Sequence, residues 1–396
     1  MFKNLFRYKK RLFYYYKKFF WNILRFLLFP FFKQEKDIIL FGTHFERFTD
    51  NTKYLFLYFQ EKKIHRVFWI TNNPKVLDKL KKAGYNVVKR DSFRAFYLAM
   101  KAGYYFFTHN FPDVFYFKRK KTIAINLWHG SPLKRLGFDT PVELKGILKR
   151  KGFHLKLPYE KWDYIVVAND IFIDIFHSAT KIPKERILPL GLPRNDILFK
   201  YKEDLKKIEE IKSKLGFSKD VPNRIIFYAP TFRDSSYFNK LFFSVLTNFV
   251  NKFSDKFCGK NITLLVKLHP LVEEKMRFPR CVLDVSSYED TQELLLISDI
   301  LITDYSSIIF DYLILNKPLI LFLNDYNEYA DIRGLYFNPF SLTNLIAYNV
   351  EQLILLIEKI LNFEVEISNN ERASIFNKNC CASERIVNII STLKPR

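Results

Sequence analysis

Two histidines stand where buried strands are predicted to end, one in each half of the sequence. His129 lies in the segment WHGSPLK, after the apolar run 122–127, and His269 lies in KLHP, after the run 263–266. Because an imidazole titrates near neutral pH, a histidine on a loop facing a cleft can take a proton from a substrate hydroxyl. The two positions therefore predict a catalytic pair that acts across a cleft. A structural histidine hydrogen-bonded within a turn is the alternative at either position.

The other histidines have weaker claims to chemistry. His44 and His109 come soon after predicted strands, but no glycine–proline turn adjoins them, so they rank below the first pair. His65, His154 and His177 fall within helical or charged-loop patterns, which indicates structural or surface positions.

A serine pair, Ser306-Ser307, separates a predicted strand at 300–303 from a predicted helix at 308–315. The first N–H groups of a helix have no internal partners and lie at the positive end of its dipole, so this turn with its hydroxyls can hold a phosphate. Asp311 lies one turn further on the same helix face and is predicted to accept hydrogen bonds from ribose hydroxyls. The alternatives are a serine that only caps the helix and a carboxylate that is solvated or bonded within the core.

Thr231, Arg233 and Lys267 are further candidates for contact with the phosphate-bearing substrate that donates the transferred group. Thr231 and Arg233 belong to YAPTFRD, directly after the predicted strand 224–228, and Lys267 opens KLHP. A guanidinium can hold a phosphate with two hydrogen bonds, although a surface ion pair with Asp234 is the alternative for Arg233.

Two cations in the first half are predicted to contact the acceptor or a phosphate. They are Lys134 of WHGSPLK and Arg194 of GLPRND, whose alternative role is a rigid turn followed by a helix cap. The sequence contains no Asp-x-Asp pair, no GxGxxG and no cysteine–histidine ligand spacing, so neither a metal site nor a cofactor is predicted.

Strand and helix patterns alternate from residue 37 onwards, which is typical of parallel sheets covered on both faces. The predicted domains are 1–34, a basic amphipathic segment; 35–195, a Rossmann-like acceptor domain; 196–365, a Rossmann-like nucleotide-donor domain; and 366–396, a closing helix. A long charged helix at 195–215 is expected to link the two halves. Strands are predicted at 37–41, 67–70, 86–88, 104–108, 122–127, 164–167, 187–190, 224–228, 263–266, 282–285, 300–303 and 319–322. The predicted fold is therefore α/β and GT-B-like, with two Rossmann-type sheets facing a cleft.

The net charge and the cysteine content indicate which partners and which cellular compartment suit the protein. The 396 residues carry a net charge of +23, which indicates an anionic partner such as a membrane surface, a nucleotide or a polyanion. Its four cysteines show no spacing typical of a zinc site or a disulfide framework, which fits a reducing cytoplasm.

Residues 1–33 hold nine of the basic residues and no acid. On a helical wheel the aromatic and aliphatic residues fall on one face and most cations on the other. This pattern predicts a helix that lies in the membrane interface with its cations towards anionic headgroups, since a spanning helix needs about 20 apolar residues. The alternative is an ordinary amphipathic helix packed against the protein itself.

Six segments together resemble the CDP-glycerol glycerophosphotransferase family, which includes primases and polymerases of wall teichoic acid. They are WHGSPLK at 128–134, GLPRND at 191–196, YAPTFRD at 228–234, KLHP at 267–270, SDILITDYSSIIFD at 298–311 and Arg333-Gly334. Family members have a GT-B fold, move a polyol phosphate from a CDP-activated donor to an acceptor hydroxyl, and are peripheral membrane proteins. The resemblance implies that His129 and His269 form the catalytic pair and that the serine turn holds the donor phosphates.

The predicted function is transfer of a polyol phosphate from a CDP-polyol such as CDP-glycerol to a hydroxyl of a glycan or lipid-linked acceptor. Glycerol phosphate is the favoured polyol phosphate. CMP would be released, and the reaction would take place at the cytoplasmic face of the membrane. An alternative with the same fold is a glycosyltransferase that uses a nucleotide sugar. A third hypothesis is a non-enzymatic membrane- or nucleic-acid-binding protein, but no nucleic-acid module is recognisable and nucleic acid is not expected as a partner.

Overall fold

Two sheets built from parallel strands organise the protein. The computed structural model describes residues 2–152, 158–218, 223–231, 236–268, 276–366 and 380–395. The first sheet has the order β3-β2-β1-β4-β5-β6-β7 and the second has the order β10-β9-β8-β11-β12-β13. Both orders are those of a doubly wound nucleotide-binding fold. The strands are β1 (Glu35–Phe41), β2 (Arg66–Thr71), β3 (Val87–Lys89), β4 (Ala102–Phe107), β5 (Ile123–Asn126), β6 (Tyr164–Val166), β7 (Ile187–Leu188), β8 (Arg224–Tyr228), β9 (Ile262–Val266), β10 (Val282–Asp284), β11 (Ile300–Thr303), β12 (Leu319–Phe322) and β13 (Ile346–Ala347).

Buried apolar runs explain why these segments form central strands. All residues of β4 and β11 are buried, as expected for parallel strands covered by helices on both faces. The register pairs Leu40 with Phe68 on one side and with Tyr105 on the other. The strands predicted from the sequence are confirmed, whereas β13, only two residues long, was not predicted.

Helices cover the faces of both sheets. They are α1 (Phe2–Leu28), α2 (Asp50–Lys62), α3 (Pro74–Lys82), α4 (Phe93–Lys101), α5 (Pro141–Gly152), α6 (Ile171–Thr180), α7 (Asp196–Tyr201), α8 (Leu205–Lys214), α9 (Ser236–Phe257), α10 (Thr291–Ile297), α11 (Ile308–Tyr312), α12 (Tyr326–Arg333), α13 (Val350–Leu361) and α14 (Ala382–Ile390).

The single long helix predicted at 195–215 is wrong, because the segment forms α7 and α8 with a break between them. Asp204 has an extended backbone, and its carboxylate accepts a hydrogen bond from the Lys207 N–H at 2.9 Å. An aspartate in this position caps a new helix, so α8 begins afresh. The helix after the serine pair is also shorter than predicted, because α11 ends at Tyr312 and a 3-10 turn, Leu313–Leu315, follows.

The closing helix α14 packs on the first sheet. Ile386 and Ile390 are buried among the side chains of that sheet, and the Tyr104 hydroxyl donates to the Ile390 carbonyl at 2.9 Å. The Ala382 N–H donates to the Asp196 carboxylate at 2.8 Å, which fixes the start of the helix. Of the closing segment predicted at 366–396, a helix is thus present over Ala382–Ile390, while residues 367–379 lie outside the described part.

The N-terminal helix α1 turns its apolar side outward. Trp21 is 5% exposed and packs on the first sheet's helices, but Phe19 and Phe26 are 66% and 81% exposed. The cations face the protein more than expected, since Lys17 pairs with Asp91 and Arg25 donates to the Lys118 carbonyl at 3.4 Å. The expected outward-facing cations are therefore not observed at these two positions.

Cys258 and Cys281 form a disulfide, which the cysteine spacing did not indicate. Their Cα atoms are 5.4 Å apart, although the two cysteines lie 23 positions apart in the sequence. Cys258 follows α9 and Cys281 precedes β10, so adjacent elements of the second sheet bring them together.

Candidate active site

The strand order reverses once in each sheet, between β1 and β4 in the first and between β8 and β11 in the second. In open parallel sheets, ligands bind beyond the carboxyl ends of the strands at such reversals. Several predicted site residues follow carboxyl ends here: His129 comes after β5, Thr231 after β8, and Ser306 after β11.

A network of backbone contacts holds the turn that carries His129. Trp128 has a positive φ of 54°, and its N–H donates to the Asn126 side chain at 2.7 Å. Asn51 of α2 donates to the Leu127 and Trp128 carbonyls at 2.9 and 3.0 Å. Asn51 therefore fixes the chain on the approach to His129.

The hydrogen bond of the His129 ring defines which nitrogen can act as a base. Nδ1 lies 3.3 Å from the Thr108 carbonyl oxygen. A carbonyl only accepts, so in the neutral ring Nδ1 carries the hydrogen and Nε2 keeps its lone pair. Burial lowers the pKa of His129 by disfavouring the imidazolium, and the Asp50 carboxylate acts in the opposite direction. The His129 ring stacks on the Trp128 ring, with centroids 4.4 Å apart, so it is partly shielded from water although much of the residue's surface still reaches solvent. This arrangement can take a proton at Nε2 at physiological pH.

The His129 turn touches the serine turn of the second sheet. Gly130 has a φ of 131°, and a Cβ atom there would lie 2.5 Å from the Ser307 Oγ and 2.7 Å from an Arg194 nitrogen. Only a residue without a side chain allows this approach. The structure thus brings together His129 and the Ser306-Ser307 pair, which lie far apart in the sequence.

Asp304 ties the ends of β8 and β11 together. Its carboxylate accepts a hydrogen bond from the Thr231 N–H at 2.9 Å, and the Thr303 hydroxyl donates to the Ala229 carbonyl at 2.6 Å. Thr231 therefore lies beside the serine turn. The Ser307 side chain makes no capping hydrogen bond, and Ser306 accepts only a long one of 3.5 Å from the Ile308 N–H. Because α11 is so short, the hydroxyls of this turn matter more than the helix dipole.

Arg194 and Asp311 form an ion pair between the two halves, which differs from their predicted ligand contacts. The Arg194 guanidinium donates to the Asp311 carboxylate at 2.6 Å, to the Asp50 carboxylate at 3.2 Å and to the His129 carbonyl at 2.9 Å. Asp311 is fully buried and Arg194 is 7% exposed. Burial raises the pKa of the Asp311 carboxyl, and the adjoining guanidinium opposes this. The guanidinium thus joins two carboxylates to the His129 carbonyl and holds the His129 turn in place, while the predicted contacts of Arg194 and Asp311 with phosphate and ribose stay predictions.

Lys134 lies in a second link between the halves. It pairs with Leu335 in an antiparallel bridge, flanked by the Tyr336 N–H donating to the Leu133 carbonyl at 2.8 Å. The Arg135 N–H also donates to the Gly334 carbonyl at 3.0 Å. This bridge joins WHGSPLK to the Arg333-Gly334 segment and fixes the backbone at Lys134.

Lys267 is held by backbone oxygens. Its Nζ donates to the carbonyls of Val285 at 3.3 Å and Tyr288 at 2.5 Å. Burial lowers its pKa to about 8, and the charge of Arg47 adds to this effect. Any contact of Lys267 with a phosphate thus weakens as the pH rises through that value.

His269 and Arg233 lie outside the described residues, so their predicted roles stay predictions. In the first sheet, His44 and His109 form a ring pair with centroids 4.4 Å apart, and His44 Nδ1 is 3.7 Å from the Asp113 carboxylate. Burial lowers the pKa of His109, and the neighbouring His44 lowers it further. The sequence ranked both below His129 because they lack its turn. The order of the strands explains why the two rings meet. His44 follows β1 and His109 follows β4, and these neighbouring parallel strands end at the same edge of the sheet.

Comparison with known proteins agrees with this geometry. The sequence model of the family described as CDP-glycerol:poly(glycerophosphate) glycerophosphotransferase matches residues 23–392. A teichoic acid glycerol-phosphate transferase of Staphylococcus aureus is 32% identical over 309 residues, which cover 76% of this chain and 78% of the relative. A teichoic acid poly(glycerol phosphate) polymerase of Staphylococcus epidermidis is also 32% identical, over 76% of this chain but only 42% of the relative. The chain thus spans less than half the length of that polymerase.

Solved structures share the two-sheet architecture. The wall teichoic acid polymerase TagF superposes with a TM-score of 0.74 at 27% identity, over 99% of this chain and 97% of that one. A structure of Staphylococcus aureus MnaA with UDP superposes with a TM-score of 0.52 at 13% identity, over 90% and 96% of the two chains, which is a likeness of fold alone. The predicted GT-B-like fold is confirmed.

Proposed function

This chain belongs to the CDP-glycerol:poly(glycerophosphate) glycerophosphotransferase family, and from that premise we propose which transfer its cleft performs. It transfers a polyol phosphate from a CDP-activated donor to a hydroxyl of a glycan or lipid-linked acceptor during synthesis of a cell-surface polymer. Glycerol phosphate is the favoured polyol phosphate. The observation that supports this most is the contact between the His129 turn of one sheet and the serine turn of the other. A base and an anion site then meet at the carboxyl edges, where nucleotides bind in such folds.

The proposed step is an in-line displacement at phosphorus. Nε2 of His129 takes the proton of the acceptor hydroxyl, and the resulting oxygen attacks the β-phosphorus of the CDP-polyol. The bond from that phosphorus to the oxygen bridging the two phosphates breaks, and CMP leaves with the electron pair. Such transfers depend on positioning and on stabilisation of charge rather than on covalent work by the protein.

The donor phosphates are proposed to lie against Ser306, Ser307 and Thr231. The hydroxyls of the serine turn offer donors of the kind that phosphate oxygens accept. His269, Arg233 and Lys267 are proposed to stabilise the diphosphate and the departing CMP. Asn51 and Arg194 position the base without touching the substrate.

A panel of nucleotide donors tests the function. With an acceptor carrying a free hydroxyl, the full chain should release CMP from CDP-glycerol or another CDP-polyol, and the product should contain a new phosphodiester. The control omits the acceptor and should release CMP at a much lower rate. Release of a nucleoside diphosphate from a nucleotide sugar, with a glycosidic product and no reaction of CDP-polyols, would contradict the proposal.

The same proposal places α1 on an anionic membrane surface at the cytoplasmic face. None of the described helices is long and apolar enough to span a membrane. The outward strip of α1 instead presents large apolar side chains to solvent, which is costly unless something covers them. Leu12, Tyr16, Phe19, Ile23 and Phe26 are each at least 46% exposed. Such a strip suits insertion at the boundary between headgroups and acyl chains.

Replacing Phe19 and Phe26 together by serine should weaken binding of the full chain to phospholipid vesicles by about a hundredfold or more, because each inserted phenylalanine contributes about 1.5 kcal/mol, the lower end for a buried side chain. Vesicle flotation measures the bound fraction. The matched control replaces Leu205 and Phe363, which are 74% and 82% exposed on elements of the second half. Equal binding by both double variants would contradict the orientation of α1.

A further inference from the structure

A basic cavity lies between α1 and the first sheet, apart from the His129 cleft. Its volume is about 880 Å³, and none of its lining residues belongs to the candidate active site. Lys18, Asn22 and Arg25 of α1 form one wall, and Lys118 and Lys161 contribute cations from the opposite side. Aromatic rings of Phe111, Tyr116, Phe117 and Trp162 complete the lining.

The charge of this cavity is strongly positive. Asp163 is the acid among its lining residues, and it is used internally: its carboxylate accepts hydrogen bonds from Lys118 and from the Ala124 N–H, each at 2.7 Å. Arg25 lies over the Phe117 ring, with its guanidinium carbon 5.2 Å from the centroid, so its long side chain is held in place. A site with several cations and one compensated acid attracts an anion.

A second, smaller cavity extends the positive region along α1. Its volume is about 230 Å³; it shares Arg25 and adds Phe26, Phe29, Arg119 and Lys120. Cations and exposed aromatic rings therefore line the same space, which suits a ligand with a charged and an apolar part.

The position of the cavity on α1 relates it to the apolar strip. Successive residues of a helix are turned by about 100°, so the strip through Lys18 and Arg25 lies roughly a quarter turn from that through Phe19 and Phe26. A molecule whose acyl chains meet the exposed phenylalanines thus has its polar end beside the cavity. A free phosphate has no apolar part that could contact the adjacent apolar strip.

We propose that this cavity binds the phosphate headgroup of an anionic membrane phospholipid. The inference deepens the membrane association proposed above and rests on it. It adds a specific headgroup site to a non-specific apolar contact. Lys18 and Arg25 then bind the headgroup from the wall of the cavity, on the side of α1 that faces the protein.

Vesicle binding tests the site. The full chain is mixed with vesicles of phosphatidylcholine alone and with vesicles containing phosphatidylglycerol, and the ratio of the two affinities is measured. Replacing Lys18 and Lys161 by alanine should lower this ratio about tenfold or more, since each cation near an anionic surface contributes substantially. The matched control replaces Lys206 and Lys359, which are exposed on α8 and α13 of the second half, and should keep the ratio.

Asn22→Trp provides a variant without change of charge. A bulky ring at this wall fills the cavity, so the preference for phosphatidylglycerol should fall while binding to phosphatidylcholine persists. An unchanged ratio in both cavity variants would overturn the headgroup site, and so would an equal loss in the Lys206 and Lys359 control. Failure to bind either vesicle would instead refute the membrane association on which the site rests. Millimolar glycerol phosphate in solution should not block binding of the full chain to vesicles that contain phosphatidylglycerol. Full competition by glycerol phosphate would show that the cavity is a site for free phosphate.

Discussion

Replacing His129 by alanine should lower the rate of CMP release by about 10²–10⁴-fold, the range that a positioned general base contributes. The hydrogen bond from Nδ1 to the Thr108 carbonyl leaves Nε2 as the proton acceptor, and alanine removes that acceptor. Initial rates with CDP-glycerol and a fixed acceptor measure the effect. The unfolding temperature should change little, because the residue lies at the exposed wall of the cleft.

His65→Ala is the matched control. His65 is exposed in the turn that precedes β2, so it lies at the amino end of that strand, away from the carboxyl edge that carries the candidate site. Its loss should leave the rate nearly unchanged. A His129→Ala protein with the rate of the wild type would refute the role of the base.

The pH profile separates a base from a structural histidine. Burial lowers the pKa of His129 below the ordinary value of about 6.5. The imidazole accepts a proton only above its pKa, so kcat/KM should hold as the pH falls through 6.5 and decline only below it. The residual activity of His129→Ala should lack that decline.

Arg194→Ala should lower the free energy of unfolding by about 3–5 kcal/mol, the cost of leaving a buried charge without its partner. Asp311 is fully buried and receives the guanidinium at 2.6 Å, so removal of Arg194 strands its carboxylate. Urea unfolding measures the change. Activity should fall as well, because the same guanidinium binds the His129 carbonyl.

A double variant, Arg194→Met with Asp311→Val, tests the physical reason. It removes the two charges of the buried pair and leaves Asp50, whose side chain is 19% exposed, without the guanidinium. It should recover much of the lost stability, since apolar residues often replace a buried pair without loss. The matched control is Arg224→Ala, which breaks an exposed pair with Asp299 at 3.5 Å and should cost at most about 1 kcal/mol. A loss no larger in Arg194→Ala than in this control would contradict the positioning role.

The strands were predictable because a parallel strand buried on both faces leaves a continuous apolar signal, as Ile300–Thr303 does. The break between α7 and α8 was not, because neither glycine nor proline interrupts the charged run and only Asp204 marks it. Short elements such as β13 carry too few residues for a pattern to show.

In the candidate site, residue types and predicted strand ends were enough to place His129 and the serine pair just beyond the carboxyl ends of strands, where the structure has them. The partners of Arg194 were not accessible in this way, since Asp311 lies 117 residues further along the chain and meets it only when both halves are folded. The ring pair of His44 and His109 likewise depends on which strands are neighbours. Local patterns find residues that can do chemistry, whereas charge pairing across a fold decides which of them are left to do it.

The packing of α14 on the first sheet has a consequence for biosynthesis. Ile386 and Ile390 belong to the interior formed by residues translated much earlier, including Tyr104. At about 5–20 residues per second, the ribosome needs roughly 10–40 s to pass from the end of the first sheet to this helix. During that time apolar surface of the nascent chain stays uncovered, so the half made first matures last, and chaperones have a defined interval in which to hold it.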